Sequence, residues 1–163
     1  MEITNTELLA ISLRIERLGQ AFYDKLGEMV DDPAIKDFLN VMSKEEVLHE
    51  KQFKNLLDNK GQENYGWENS AEMRGYIEEE LETDIFPKME EIQERLSEFS
   101  DIKQAFEFAV ETEQVSHEFY KMLRENCTNY EAKTLLILLE KAEMEHLSRI
   151  KAMEKRFLGN TPA

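Results

Sequence analysis

Cysteine is almost absent: Cys127 is the only one in 163 residues. An internal disulfide is therefore impossible, and no CxxC pair exists to hold iron or zinc through thiolates. A reducing cytoplasm is the expected compartment. Helix breakers are also scarce, with 6 Gly and 3 Pro against 41% apolar and 34% charged residues. That balance fits long helices with solvated charged faces. No apolar run reaches membrane-spanning length, and Met1-Glu2-Ile3-Thr4-Asn5 lacks the basic and apolar regions of a signal peptide. Cationic side chains are outnumbered, 20 Lys and Arg against 35 Asp and Glu, which leaves a formal charge of −15. Neither nucleic acid nor a membrane surface is an expected partner for such a chain; a cation is.

Four long amphipathic segments account for most of the sequence. Residues 6–30 carry apolar positions at Leu8, Ile11, Ile15, Leu18, Phe22, Leu26 and Met29, at helical spacing. Asp31-Asp32-Pro33 then supplies a turn, a cap and a first-turn proline. A second helix is expected over 33–59, a third over 101–127 capped by Ser100 or Asp101, and a fourth over 130–158. The intervening 60–100 starts as a loop at Lys60-Gly61-Gln62-Glu63-Asn64-Tyr65-Gly66. It then offers a short helix from Ser70 to Glu82 and another from Pro87 to about Ser100, with Trp67 as an anchor. So long a connection suits a crossover that returns the chain along a four-helix bundle. The expected fold is all-α, a single domain over 1–163. Hairpin 1 spans about 6–59, the crossover about 60–100 and hairpin 2 about 101–158.

One short pattern occurs twice: Glu46-Val47-Leu48-His49 and Glu143-Met144-Glu145-His146. A Glu lies thirty residues upstream of each, Glu16 and Glu113. The copies are offset by 97 residues at all three positions, as are Phe22-Tyr23 and Phe119-Tyr120. The stripe of the second helix (Ile35, Phe38, Leu39, Met42, Glu46, His49, Phe53, Leu56, Leu57) has its Glu and His at the centre. The fourth repeats this with Glu143 and His146. Glu16 precedes the turn at Asp31 by fifteen residues and Glu46 follows it by fifteen. In an antiparallel hairpin both sit about 22 Å from the turn. Glu113 and Glu143 stand in the same relation to Thr128. Four carboxylates in one apolar layer cost several kcal/mol each and repel one another. Two divalent cations would balance them. Glu-x-x-His places oxygen and nitrogen donors one turn apart on one face, and this mixed donor set suits iron or manganese.

At these six residues the chain resembles the ferritin-like di-iron carboxylate proteins, whose bundles hold one Glu from each of two helices and Glu-x-x-His from each of the other two. Within that superfamily it most resembles the rubrerythrins. Ile15-Glu16-Arg17-Leu18-Gly19-Gln20-Ala21-Phe22-Tyr23 with Lys44-Glu45-Glu46-Val47-Leu48-His49 is similar to their first hairpin. Thr112-Glu113-Gln114-Val115-Ser116-His117-Glu118-Phe119-Tyr120 with Lys141-Ala142-Glu143-Met144-Glu145-His146 is similar to the second. The resemblance implies a peroxide-reducing di-iron site with Glu16, Glu46, His49, Glu113, Glu143 and His146 as ligands to two Fe ions, or Mn, and Glu46 and Glu143 bridging. Tyr23 and Tyr120, two turns after Glu16 and Glu113, would donate hydrogen bonds or pass an electron, or simply pack. Gly19 and Ser116 would leave room for peroxide or O₂, or allow close helix packing.

Two features depart from the rubrerythrin pattern. No rubredoxin-type CxxC segment is present, so an external electron-donor protein is expected. Ala109 and Val110 stand one turn before Glu113, where rubrerythrins usually carry a further Glu, which puts redox-dependent ligand switching in doubt. His117, one turn after Glu113, is a candidate seventh ligand or proton donor. The leading expectation is a di-iron oxidoreductase acting on hydrogen peroxide or O₂. The alternatives are ferroxidation with iron storage, or a non-catalytic metal-binding bundle. A homodimer is expected because Ile11, Ile15, Leu18 and Phe22 form an apolar flank beside the metal face.

Overall fold

The computed structural model describes residues 1–58, 64–98 and 100–159. The expected loop positions 60–63, the last position of the second expected helix and the tail beyond 159 lie outside the described residues. Two long helices open the chain: α1 (Asn5–Met29) and α2 (Pro33–Leu57). The Thr4 hydroxyl caps α1 by accepting the Glu7 N–H, and the Asp32 carboxylate caps α2 by accepting those of Ala34 and Ile35. Pro33 occupies the first turn, where a missing N–H costs nothing. Two more long helices close it: α5 (Ile102–Glu125), capped by Asp101 rather than Ser100, and α6 (Tyr130–Gly159). The hairpins α1–α2 and α5–α6 pack along their lengths, and α1 packs against α5. The described residues thus form the expected four-helix bundle, with no strand among them.

The crossover differs from expectation. Ser70 does cap a helix, accepting the Met73 N–H, but the two expected short helices are one continuous run. It passes from α3 (Ala71–Gly75) through π-helical turns (Tyr76–Ile85) into α4 (Phe86–Glu94). Pro87 is the physical reason. Inside an α-helix its ring would collide with the carbonyl four residues back. Wider π turns, seen in the bond from Phe86 N–H to the Leu81 carbonyl, let the chain pass the proline without a break. A 3₁₀ turn (Leu96–Glu98) follows.

This crossover covers the flank of α1 that had suggested a dimer contact. Ile11, Ile15, Leu18 and Phe22 are all buried within the chain. Arg14 is held between Glu82 (3.0 Å) and Glu90 (2.6 Å), with its guanidinium 3.8 Å above the Phe86 ring. A face that is apolar in sequence is here an internal one. The crossover's start is pinned to the α5–α6 turn: Trp67 is fully buried and stacks on Tyr65 at 4.8 Å, and the Thr128 N–H donates to the Tyr65 carbonyl at 2.7 Å. Gly66 between them has φ +104°, and a Cβ there would lie 2.6 Å from Thr128 Oγ1. Only glycine fits that close approach.

The α2–α6 side is different. These helices meet only weakly, and Val41, Leu48, Ile137, Leu138 and Met144 on them are exposed.

Candidate metal centre

The four long helices bring one polar layer into the middle of the apolar core. Glu16, Glu46, Glu113, Glu143, His49 and His146 are each 5% exposed or less. Donor atoms of Glu46, His49, Glu143 and His146 all lie within 4.8 Å of one another. His49 Nδ1 is 2.5 Å from Glu143, 3.6 Å from Glu46 and 3.9 Å from Glu16. His146 Nδ1 is 3.1 Å from Glu46, 3.5 Å from Glu113 and 3.8 Å from Glu143. The imidazole rings stack with centroids 5.2 Å apart. Glu16 therefore belongs on the His49 side and Glu113 on the His146 side, with Glu46 and Glu143 between.

The polar atoms in this layer fit a metal better than they fit one another. Glu16 Oε2, Glu113 Oε2, both Glu143 oxygens and His49 Nδ1 are buried without a hydrogen-bond partner among the described residues. His49 Nδ1 and Glu143 Oε1 are close, yet not in hydrogen-bond geometry. Unpaired buried donors and acceptors each cost free energy, and five of them converging on one volume is the arrangement that cations would resolve.

Electrostatics show the same tension. Burial, then the neighbouring Glu143 and Glu46 charges, pushes the Glu16 carboxyl well above its usual range. Burial and the charges of Glu113 and Glu143 do the same to Glu46. Burial also raises Glu143, despite the His49 imidazole beside it. Glu113 goes the other way: burial opposes its ionisation, but His146 outweighs burial and lowers it. Burial alone would keep both imidazoles neutral. Instead Glu143 raises His49, and Glu113 with Glu46 pushes His146 up to about 12.

The tyrosines lie at the layer in a crossed arrangement. Tyr23 on α1 donates its hydroxyl hydrogen to Glu113 on α5, and Tyr120 on α5 donates to Glu16 on α1. Each reaches the other repeat's carboxylate because seven residues of helix span about 10 Å, beyond the reach of a phenol to its own helix's Glu. The antiparallel neighbour brings that carboxylate back within range. Burial and the adjacent carboxylates hold both phenols far above their ordinary pKa, so they stay neutral donors.

His117 is not brought into this layer. Its Nε2 lies 3.9 Å from Glu140, in a groove it shares with Arg124 and Lys141. One turn after Glu113 it has rotated off the inward face, so the structure does not bring this candidate seventh ligand or proton donor together with the other six. Gly19 leaves room for a ligand side chain rather than an open volume, since a Cβ there would sit 3.4 Å from the Glu46 carboxylate. Ser116 Oγ is buried without a partner among the described residues.

Two neighbours of the site escaped the sequence reading. Ser12 is fully buried, with Oγ 3.0 Å from the Tyr120 hydroxyl. Glu45 reaches across from α2, its carboxylate 2.6 Å from His146 Nε2. Ser12 stands one turn before Glu16 and Glu45 adjoins Glu46, so spacing could have raised both. Neither repeats at the 97-residue offset, where Ala109 and Ala142 stand, and that is why they carried no signal.

A family model described as Rubrerythrin matches residues 7–154. The chain belongs to the rubrerythrin family. Two solved structures are similar to this rubrerythrin-family chain. One is a Thermotoga maritima protein described as a ferritin-like diiron-carboxylate protein, with TM-score 0.68 and 20% identity over 95% of this chain and 97% of that one. The other is a hypothetical protein from Pyrococcus furiosus, with TM-score 0.63 and 23% identity over 99% of this chain and 94% of that one. At such identities the likeness concerns the fold. No curated protein matches the sequence. Among the described residues, no helix is long and apolar enough to cross a membrane.

Proposed function

We propose that this rubrerythrin-family chain is a di-iron oxidoreductase that reduces hydrogen peroxide, or O₂, with electrons from an external donor protein. The observation that carries the reading is the buried layer of four carboxylates and two imidazoles whose inward atoms lack protein partners. Glu16 and His49 would hold one ion, Glu113 and His146 the other, with Glu46 and Glu143 shared. When bound, two irons supply two electrons, which with two protons convert one hydrogen peroxide to two waters.

The chain's own groups do the rest. Tyr23 and Tyr120 fix the orientation of Glu113 and Glu16 by hydrogen bonds. Their raised pKa keeps them protonated and able to donate. The apolar core above and below the layer excludes bulk water. Access runs along a cleft of 260 Å³ between α2 and α6, lined by His49, His146, Glu45, Gln52, Leu48 and Leu138.

The test is reoxidation of anaerobically reduced, iron-loaded protein followed by its visible absorbance. Peroxide should reoxidise it at least about tenfold faster than air-saturated buffer, a barrier difference of about 1.4 kcal/mol. Equal rates, with iron retained as mineral, would replace this reading by ferroxidation and storage. The protein is also expected to be a homodimer. Light scattering coupled to size exclusion should give twice the chain mass, and a monomer would remove the dimer expectation.

A further inference from the structure

The two halves of the site differ in one respect that the repeat does not predict. His146 turns Nδ1 toward Glu46 and Glu113, and its outward Nε2 lies 2.6 Å from the Glu45 carboxylate. His49 likewise turns Nδ1 inward. No carboxylate stands within hydrogen-bond range of its outward nitrogen among the described residues. The reason is one residue: the repeat equivalent of Glu45 is Ala142. Both line the same cleft as the two histidines.

We propose that Glu45 is a positioning residue that makes the two metal positions inequivalent, with the His146 position the tighter. The inference rests on the metal-site reading above. A carboxylate on the outer nitrogen of a ligating imidazole fixes the tautomer, so that the inner nitrogen presents its lone pair. It also locks the ring and raises ligand basicity. His146 has all three effects. His49 must hold its tautomer and ring angle through solvent and packing alone, and it therefore donates less well. Glu45 is 38% exposed at its side chain, so removing it leaves no buried void. The aligned Ala142 gives the converse experiment, because a Glu there would stand toward His49 as Glu45 stands toward His146.

Anaerobic calorimetric titration of the metal-free protein with Co²⁺ reads this directly, independently of turnover. Wild type should bind two ions in two steps. Glu45→Ala should weaken the tighter step by about 10- to 100-fold and leave the weaker one in place, bringing the two together. Ala142→Glu should instead tighten the weaker step. Glu45→Gln, whose amide oxygen still accepts the Nε2 hydrogen, should restore part of the loss. A purely structural role for Glu45 would not produce opposite shifts from Glu45→Ala and Ala142→Glu. Two ions bound with affinities unchanged in Glu45→Ala would overturn the inference while leaving the metal site standing. Wild type that takes up no Co²⁺ would overturn both.

Discussion

Glu143→Gln should stabilise the metal-free protein and abolish the second metal equivalent, two effects of opposite sign from one substitution. Glu143 is fully buried, and neither carboxylate oxygen has a hydrogen-bond partner among the described residues. Without metal, its charge is opposed by burial and by Glu113, and His49 offsets this only in part. An isosteric neutral amide removes that penalty. Relieving unsatisfied buried carboxylate oxygens gains about 1–3 kcal/mol. For a domain of this size that is a rise of roughly 2–10 °C in melting temperature. With metal the sign reverses. A shared anionic ligand is lost, and affinity should fall by at least about 100-fold, the upper end for losing a mere outer-sphere partner. Element-resolved metal analysis and calorimetry on both forms check it. Glu143→Gln protein that melts lower than wild type when metal-free would mean that the His49 contact outweighs the burial. Unchanged metal content would remove Glu143 from the ligand set.

Metal-free protein should also lose stability as pH rises from about 5 to 8, against the habit of domains that are most stable near neutrality. Glu16, Glu46 and Glu143 have folded-state pKa values above the usual 4.5. The folded state then binds more protons than the unfolded one above pH 4.5, and each such contribution is lost as pH rises through the folded value. His49 and His146 act in the same sense. Their raised values give a contribution that is whole below 6.5 and declines above it, for His146 until pH approaches about 12. Glu113 alone is lowered. It contributes above 4.5 and loses that contribution in acid, which sets the low-pH limb. One net extra proton costs about 1.4 kcal/mol per pH unit, so three units should lower the melting temperature by on the order of 10 °C. Metal binding requires deprotonated ligands, so the melting temperatures of loaded and metal-free protein should diverge as pH rises. Parallel melts at pH 5, 6.5 and 8 check this. A metal-free melting temperature that rises over this range would show that the carboxylates are not strained by their burial.

Much of the site was legible because ligation and helix geometry both write themselves into spacing. A Glu or His in the centre of an apolar stripe is expensive, and equal distances from a turn put such residues at equal heights. Glu16, Glu46, His49, Glu113, Glu143 and His146 could therefore be gathered into one layer from sequence positions alone, and the structure gathers them. The helix caps at Asp32 and Ser70 were legible for the same local reason: a side-chain oxygen meets its own helix's free N–H groups within three residues.

Contacts that depend on how helices lie against each other had no such signature. That Tyr23 serves Glu113 and Tyr120 serves Glu16 follows from the antiparallel packing of α1 on α5. The one-helix pattern put each tyrosine near the layer without naming its partner. His117 carries the spacing of a ligand yet points to Glu140, because one further turn of rotation decides between the core and a groove. The apolar flank at Ile11, Ile15, Leu18 and Phe22 looks the same in sequence whether a second chain or the crossover covers it. In this chain the crossover packs onto α1 and covers it. Periodicity thus determined which residues had to be inside and at what height. Packing, which acts between residues far apart in the chain, decided which neighbour each of them meets.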